Sequence, residues 1–482
     1  MFEKSSLKKN MALQTLYEVI GTCIPLVTSP YLSRVLGPSQ LGIFSFTSSV
    51  VAYFLLFSKL GNANLGVRSI ASLGDDKQGR STSFWGLFSF QAITTTLCLA
   101  LYIVYLLFIC KDNHLIALIQ IVELVTNLVC INWLFSGRER FELTVTVSIV
   151  IRLLSVAGIL CFVKTEKDLP IYAIIITGGA LLTQLVLWLF IRQEIDFVRI
   201  RKADVVSNVK PSIMLFIPLL AMSVYHVMDK TMLGAISSYD QSGFYYNADK
   251  IVNITVGVIS GISTVMLPRM SLLISQNKKS ESDDLFRISL EGTVIVGTAM
   301  AFGIAAIAYE FEPFFFGPGY EECINLTVVL APVLLIKSFS FTARYQYLVP
   351  HKKEKEFIIS VIAGAATNLA LNLVLIPRLG AMGAVVGTLF AELVACVFQY
   401  VSISKYIKLN TTLLKLSIYV VFGIIMVFAV RIVAKANVNI VVKLILEVIS
   451  GVIVYLSLCL LYWKITGNHI AKTIFHAVKK NK

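Results

Sequence analysis

The chain has 482 residues, of which 57% are apolar or aromatic and only 15% charged, and its mean hydropathy is +0.79. A soluble globular protein carries about 25% charged residues, and its apolar runs are shorter than the stretches of about 20 residues that recur here and suit a bilayer. A water-solvated fold is excluded, leaving an all-α polytopic membrane protein whose formal charge of +14 marks either an anionic partner or a topology signal.

Apolar windows predict fourteen spans, at 10–33, 38–60, 83–108, 114–136, 142–163, 169–191, 211–235, 244–268, 288–310, 321–348, 356–376, 380–403, 411–434 and 440–463. The segment Met1 to Asn10 is short and basic and leads into a span holding polar residues and two prolines, so it reads as a retained first span and not as a removable signal. The longest connections, 61–82, 192–210 and 269–287, are too short for a soluble domain. The eight cysteines are scattered with no metal-ligand spacing and read as small core side chains.

Basic residues near spans are retained in the cytoplasm. Alternate connections, beginning with the N-terminus, hold 27 Lys and Arg, against 7 on the opposite side. An even number of spans with both termini cytoplasmic satisfies that bias. The remaining eight lie within or at the ends of spans: Lys59, Arg152, Lys230, Lys250, Lys337, Arg344, Lys415 and Lys443.

A weak internal repeat accompanies this layout. Leu36-Gly37 and Leu41-Gly42-Ile43-Phe44 correspond to Leu233-Gly234 and Ser242-Gly243-Phe244-Tyr245, and Phe141-Glu142 before the fifth span corresponds to Glu356-Phe357 before the eleventh. Six spans per copy make the repeat parallel, about an axis along the membrane normal. The expected division is therefore 1–204 (spans 1–6), 205–408 (spans 7–12) and 409–482, the last holding two appended spans and a cytoplasmic tail.

No nucleotide-binding loop, HExxH helix or clustered His/Asp set is present, so no cofactor or metal is implied. The informative groups are charges at membrane depth, where an Arg, Lys or Asp costs about 2.5–3.5 kcal/mol by insertion scales and normally faces a partner or a watery cavity. Arg152 sits mid-span, either locking two helices or facing a lumen as an anion site. In span seven, Asp229 and Lys230 follow Tyr225 and His226 by one turn, and span eight opens with Asp249 and Lys250. These form either charge pairs, such as Asp229 with Lys250, or a gate. Lys337 and Arg344 share one face of span ten. The acidic residues at depth are Glu18, Glu123, Glu291, Glu392 and Glu447. Glu18 belongs to a polar stripe with Gln14, Thr22 and Ser29, which lines a water path or stitches a helix contact. Pro25 and Pro30 should bend or break span one, and Pro218 is placed to bend span seven.

The stretch from Pro25 through Tyr31, Arg34 and Gly37, continued by Leu41-Gly42 and Leu60-Gly61 to Arg68-Ser-Ile-Ala71, resembles the opening of Wzx-type polysaccharide-biosynthesis flippases. Asp229-Lys230-Thr-Met-Leu233-Gly234, Ala248-Asp249-Lys250 and Leu267-Pro268-Arg269 extend the match. This resemblance implies the fold of the multidrug, oligosaccharidyl-lipid and polysaccharide exporter superfamily, two six-helix MATE-like lobes plus two C-terminal helices. It further implies a polyprenyl-diphosphate-linked oligosaccharide carried from the cytoplasmic to the outer leaflet of a bacterial cytoplasmic membrane by alternating access. One departure is Lys59, where that family often has an acidic residue.

The expected function is that of a flippase and not an enzyme. Diphosphate or anionic-sugar contacts are assigned to Arg152, Lys59, Lys250 and Arg344, and gating or coupling to Arg34, Asp229 and Lys230. The partners expected are the lipid-linked oligosaccharide and membrane lipids, with a polysaccharide polymerase and glycosyltransferases as candidates and no nucleic acid. A multidrug cation antiporter of the same superfamily should favour acidic lumen groups. A membrane polymerase or ligase should carry a large outer loop, and a non-transporting scaffold would tolerate loss of Arg152.

Overall fold

The computed structural model describes residues 7–407 and 409–467, and among them every regular element is helical. The basic residues Lys4, Lys408 and Lys472 to Lys482 lie outside the described residues. So do the side chains of Lys8, Lys9, Gln14, Pro218, Tyr225, His226 and Lys415.

The helix Leu7–Lys59 is far longer than a bilayer requires and is interrupted at Gly37, with φ 74° and ψ 172°. Glycine adopts that conformation without a Cβ clash, and Pro38 behind it has no N–H to continue the ladder. The halves, α1 (7–36) and α2 (38–59), are the first two spans. Pro25 and Pro30 leave α1 helical, so no break falls inside span one, and the interruption at Gly37 lies at the expected boundary between spans one and two. Around the prolines, Thr28 Oγ donates to the Ile24 carbonyl at 3.0 Å and Ser33 Oγ to that of Ser29 at 2.8 Å, holding the turns together.

Then follow α3 (Lys77–Phe108), α4 (His114–Gly137), α5 (Phe141–Phe162), α6 (Leu169–Trp188), α7 (Val209–Ile236), α8 (Tyr239–Val265) and α9 (Lys279–Phe316). The chain ends with α10 (Glu321–Leu348), α11 (Glu354–Leu379), α12 (Ala381–Ser404), α13 (Asn410–Val433) and α14 (Ile440–Thr466). Twelve helical stretches among the described residues are long and apolar enough to span a membrane, the first of them containing both α1 and α2. Helix α7, with 28 residues, is about 42 Å long at 1.5 Å per residue. The count is therefore the fourteen expected, in a multi-pass membrane protein.

Packing divides the chain into two compact units after Gly243. In the first, α7 packs on α2: Thr231 Oγ donates to Ser49 Oγ at 2.7 Å, and the Phe57 and Phe216 rings lie 5.6 Å apart. The repeat-related glycines Gly42 and Gly243 meet here. A Cβ on Gly42 would run into the Tyr239 carbonyl and the Gly243 nitrogen, and one on Gly243 into the Pro38 carbonyl. Lipid tails are as apolar as helix surfaces, so close backbone approach is a main source of helix association. A Gly42→Val chain should lose about 1–3 kcal/mol of stability, seen as a lower midpoint of thermal unfolding in detergent; an unchanged midpoint would refute the contact.

Three connections on one side of the first unit are tied by charge. Glu194 accepts from Arg138 at 3.0 Å and Arg140 at 2.6 Å, and Arg80 donates to the carbonyls of Gly74 at 2.6 Å and Glu194 at 3.2 Å. Lys77 pairs with Asp196 at 2.7 Å. These basic residues count towards the topology signal, yet they also lock the segments after α2, α4 and α6 together.

In the second unit α13 and α14 lie on α9. Tyr419 donates to Glu291 at 2.5 Å and accepts from Trp463 at 2.9 Å, while Arg431 reaches Glu310 at 2.6 Å. Lys337 of α10 and Glu392 of α12 form a buried ion pair at 3.0 Å.

Candidate functional site

Helices α1, α4, α5 and α6 line a half-open cavity of about 410 Å³ in the first unit. Arg152 is its one charged lining residue among those described. It sits near the middle of α5, where only a cavity or a partner makes a guanidinium tolerable. Its Nη2 donates to the Tyr17 hydroxyl at 2.6 Å, and its Cζ lies 4.4 Å from the Tyr17 ring centroid. Among the described residues no carboxylate forms an ion pair with it, so its charge is oriented by an aromatic face and a hydroxyl and left uncancelled.

The local sequence of α1 makes room for this group. A Cβ on Gly21 would sit 3.0 Å from Arg152 Nη1, and Pro25, which also lines the cavity, has no N–H to cap the Gly21 carbonyl. Gly21→Val should push the guanidinium out of place and weaken the binding of an anion there about as much as losing one charged hydrogen bond, some tenfold. Titration of the purified protein with inorganic diphosphate checks this, and wild-type affinity would refute the placement.

The opposite wall is a broken helix. Sequence periodicity predicts 114–136 as one span, but α4 consists of His114–Ile119, Ile121–Leu128 and Asn132–Gly137. Freed backbone groups at membrane depth need partners inside the protein, and side chains supply them. Gln91 Nε2 donates to the carbonyls of Asn127 at 2.7 Å and Cys130 at 2.9 Å. Trp188 Nε1 donates to that of Val129 at 2.8 Å, and Gln184 Oε1 accepts from Ile131 N at 3.2 Å. Gln91 Oε1 in turn accepts from Asn62 at 3.0 Å and Trp133 at 3.2 Å. Asn132, at the restart of the helix, lines the cavity with a buried Oδ1 that has no hydrogen-bond partner among the described residues. Replacing Gln91 with Leu strands the Cys130 carbonyl and the Trp133 indole N–H at about 1–3 kcal/mol each. The yield of folded protein, read by size-exclusion chromatography, should fall severalfold, and an unchanged yield would count against this role.

The other predicted site residues are not gathered at this cavity. Lys59, at the exposed end of α2, interacts electrostatically with Glu123 of α4 and so has a carboxylate neighbour. Arg34 is exposed and donates to the Pro30 carbonyl at 3.4 Å. Asp229 is 2% exposed and acts electrostatically on Tyr53, with Lys230 half-buried beside it. In the second unit Lys250 lies 4.9 Å from the Tyr246 ring centroid. Arg344 stands 4.4 Å from that of Phe357, at the first residue of a π-helical turn spanning Arg344–Leu348. Sequence reasoning singled out Arg152 by its depth but missed Tyr17, Gly21, Gln91, Asn132 and Gln184, whose signal is a polar or absent side chain in an otherwise apolar run.

Comparison with known proteins bears on this geometry. A family model described as polysaccharide biosynthesis protein matches residues 7–274, more than half of the chain. The chain belongs to this polysaccharide biosynthesis protein family. Similar proteins include a putative O-antigen transporter of Escherichia coli K12, 26% identical over 393 residues that cover 81% of this chain and 94% of that protein. A probable low-salt glycan biosynthesis flippase, Agl15 of Haloferax volcanii, is 23% identical over 247 residues, 49% of this chain and 50% of that one. Among solved structures, the inward closed conformation of the lipid II flippase MurJ superposes with a TM-score of 0.76 at 14% identity, covering 94% of this chain and all of that one. An inward-facing MATE transporter of the MOP superfamily gives 0.61 at 12% identity, covering 83% and 94%. This family member therefore has the MurJ and MATE fold, and the curated relatives it matches carry the names of transporters and flippases.

Proposed function

We propose that this protein is a flippase that carries a polyprenyl-diphosphate-linked oligosaccharide from the cytoplasmic to the outer leaflet of the bacterial cytoplasmic membrane, by alternating access, with both termini cytoplasmic. The observation that carries the reading is Arg152, a mid-membrane cation facing a cavity and forming no ion pair with a carboxylate among the described residues. Such a site suits an anion, and a diphosphate offers several oxygens to a planar guanidinium. A sugar diphosphate cannot cross hydrocarbon alone, because each unsatisfied polar group there costs several kcal/mol. A cavity of about 410 Å³ takes the charged link and leaves the apolar tail to the bilayer. Outward movement of an anion is favoured by an inside-negative potential, by about 2.3 kcal/mol per charge per 100 mV.

Lys59, Lys250 and Arg344 are the further cations assigned to the substrate's path, and Arg34, Asp229 and Lys230 to gating. The names of the O-antigen transporter and the glycan flippase among the relatives support the substrate class. An antiporter for cationic drugs finds no support in a cavity whose one charged lining residue is an arginine.

The reading is tested in a strain lacking this protein and any second flippase. Lipid-linked repeat units should accumulate on the cytoplasmic leaflet, and a normal leaflet distribution would overturn it.

A further inference from the structure

A second cavity, of about 300 Å³, opens in the seam between α9, α13 and α14. Its walls are almost wholly apolar, built around Gly303, Met426, Val430 and Gly451. Val448 and Val452, which also line it, are 49% and 51% exposed, so in a membrane protein this seam borders lipid. The exception is Glu447, which lines the cavity, is fully buried, and has no hydrogen-bond partner among the described residues for either carboxylate oxygen. An ionised carboxylate in such a place costs several kcal/mol, and in practice such a group takes up a proton.

We propose that Glu447 is a proton-binding site of the last two helices, holding an exchangeable proton in a cavity reached from the lipid. The charged and titratable groups around it are identifiable. Helix α9 contributes Glu310, α13 contributes Arg431, and α14 itself contributes Lys443 and Tyr455. Arg431 is held by Glu310 at 2.6 Å and lies 4.8 Å from the Tyr309 ring centroid. While Glu447 keeps its proton, Glu310 has Arg431 to itself. On release of the proton, the new carboxylate competes with Glu310 for Arg431 and draws Lys443 inward. Proton exchange at this site therefore changes which helix, α9 or α14, holds α13. The site stands on the chemistry of the seam and is independent of what the protein carries.

Carbodiimide labelling of the full-length protein in lipid vesicles tests it. A hydrophobic carbodiimide attacks a carboxyl that still has its proton. The proton passes to one carbodiimide nitrogen while the carboxylate oxygen bonds to the central carbon, giving an O-acylisourea with no leaving group. Away from water this rearranges to a stable N-acylurea that mass spectrometry locates in the sequence. Dicyclohexylcarbodiimide should modify Glu447, with a yield falling at least fivefold from acidic to alkaline buffer as the proton is lost. A water-soluble carbodiimide should leave Glu447 untouched while it modifies the exposed Glu166. Arg431→Met, which removes one partner of the ionised form, should extend labelling to higher pH, and E447Q should abolish the adduct. Absence of an adduct at Glu447 in the wild-type protein, or a yield that does not change with pH, would overturn the proposal. Both readouts use the wild-type chain and remain decisive if a variant fails to fold.

Discussion

Arg152→Ala should reduce flipping of a polyprenyl-diphosphate oligosaccharide by about 10–100-fold. A hydrogen bond to a charged group is worth about 1.5–3 kcal/mol when its partner is charged as well, and Arg152 is the only cation the described walls of the cavity provide. Because the guanidinium faces the cavity and its hydrogen-bond and ring partner is Tyr17, protein level and thermal midpoint should change little. Arg152→Lys should keep the charge and recover part of the rate, since an ammonium cannot make the paired contacts of a planar fork. Initial rates in reconstituted vesicles, measured against protein content, separate the three chains. An alanine variant that flips at the wild-type rate would remove this cavity from the transport path.

Lys337 and Glu392 should give the largest change in stability. Both ends of this pair are almost completely buried, at 10% and 7% side-chain exposure, with 3.0 Å between the charged atoms. Lys337→Met leaves a carboxylate without its cation in a low-dielectric core, which costs about 3–5 kcal/mol. The single variant should therefore yield little folded protein. Replacing both residues together, Lys337→Met with Glu392→Leu, should restore most of the loss, because two well-packed apolar side chains are often as stable as a buried ion pair. Thermal unfolding of the purified chains is the measurement, and a single variant as stable as the double one would contradict the pairing.

These two sites show what the sequence makes legible and what it does not. The fourteen spans are visible because burial in lipid demands long apolar runs, and the chain cannot hide that requirement. The break at Gly37-Pro38 is visible for a similar reason, since both residues act on their own backbone. Arg152 and Lys337 stand out equally as cations in apolar surroundings, yet one faces a cavity and the other a carboxylate. That difference depends on Tyr17 and Glu392, which lie on other helices, and no local pattern reports it. The broken α4 is hidden in the same way. Its apolar run reads as continuous, and the groups that permit the break, Gln91, Gln184 and Trp188, are supplied from α3 and α6. The basic residues at the start of α3 and after α4 carried more than a topology signal, because Arg80, Arg138 and Arg140 also fasten connections.

The meeting of Gly42 with Gly243 has a consequence for how this chain can change over time. At most contacts a larger residue on one side can be accommodated by a smaller one on the other, so damage is repaired by a compensating second substitution. Here the crowding atoms are main-chain ones, the Tyr239 and Pro38 carbonyls and the two glycine nitrogens, and neither partner has a side chain left to give up. Selection for suppressors of a Gly42 or Gly243 substitution should therefore return true revertants at that position, with no rescue at its opposite number, whereas the Lys337–Glu392 pair leaves an escape through its partner.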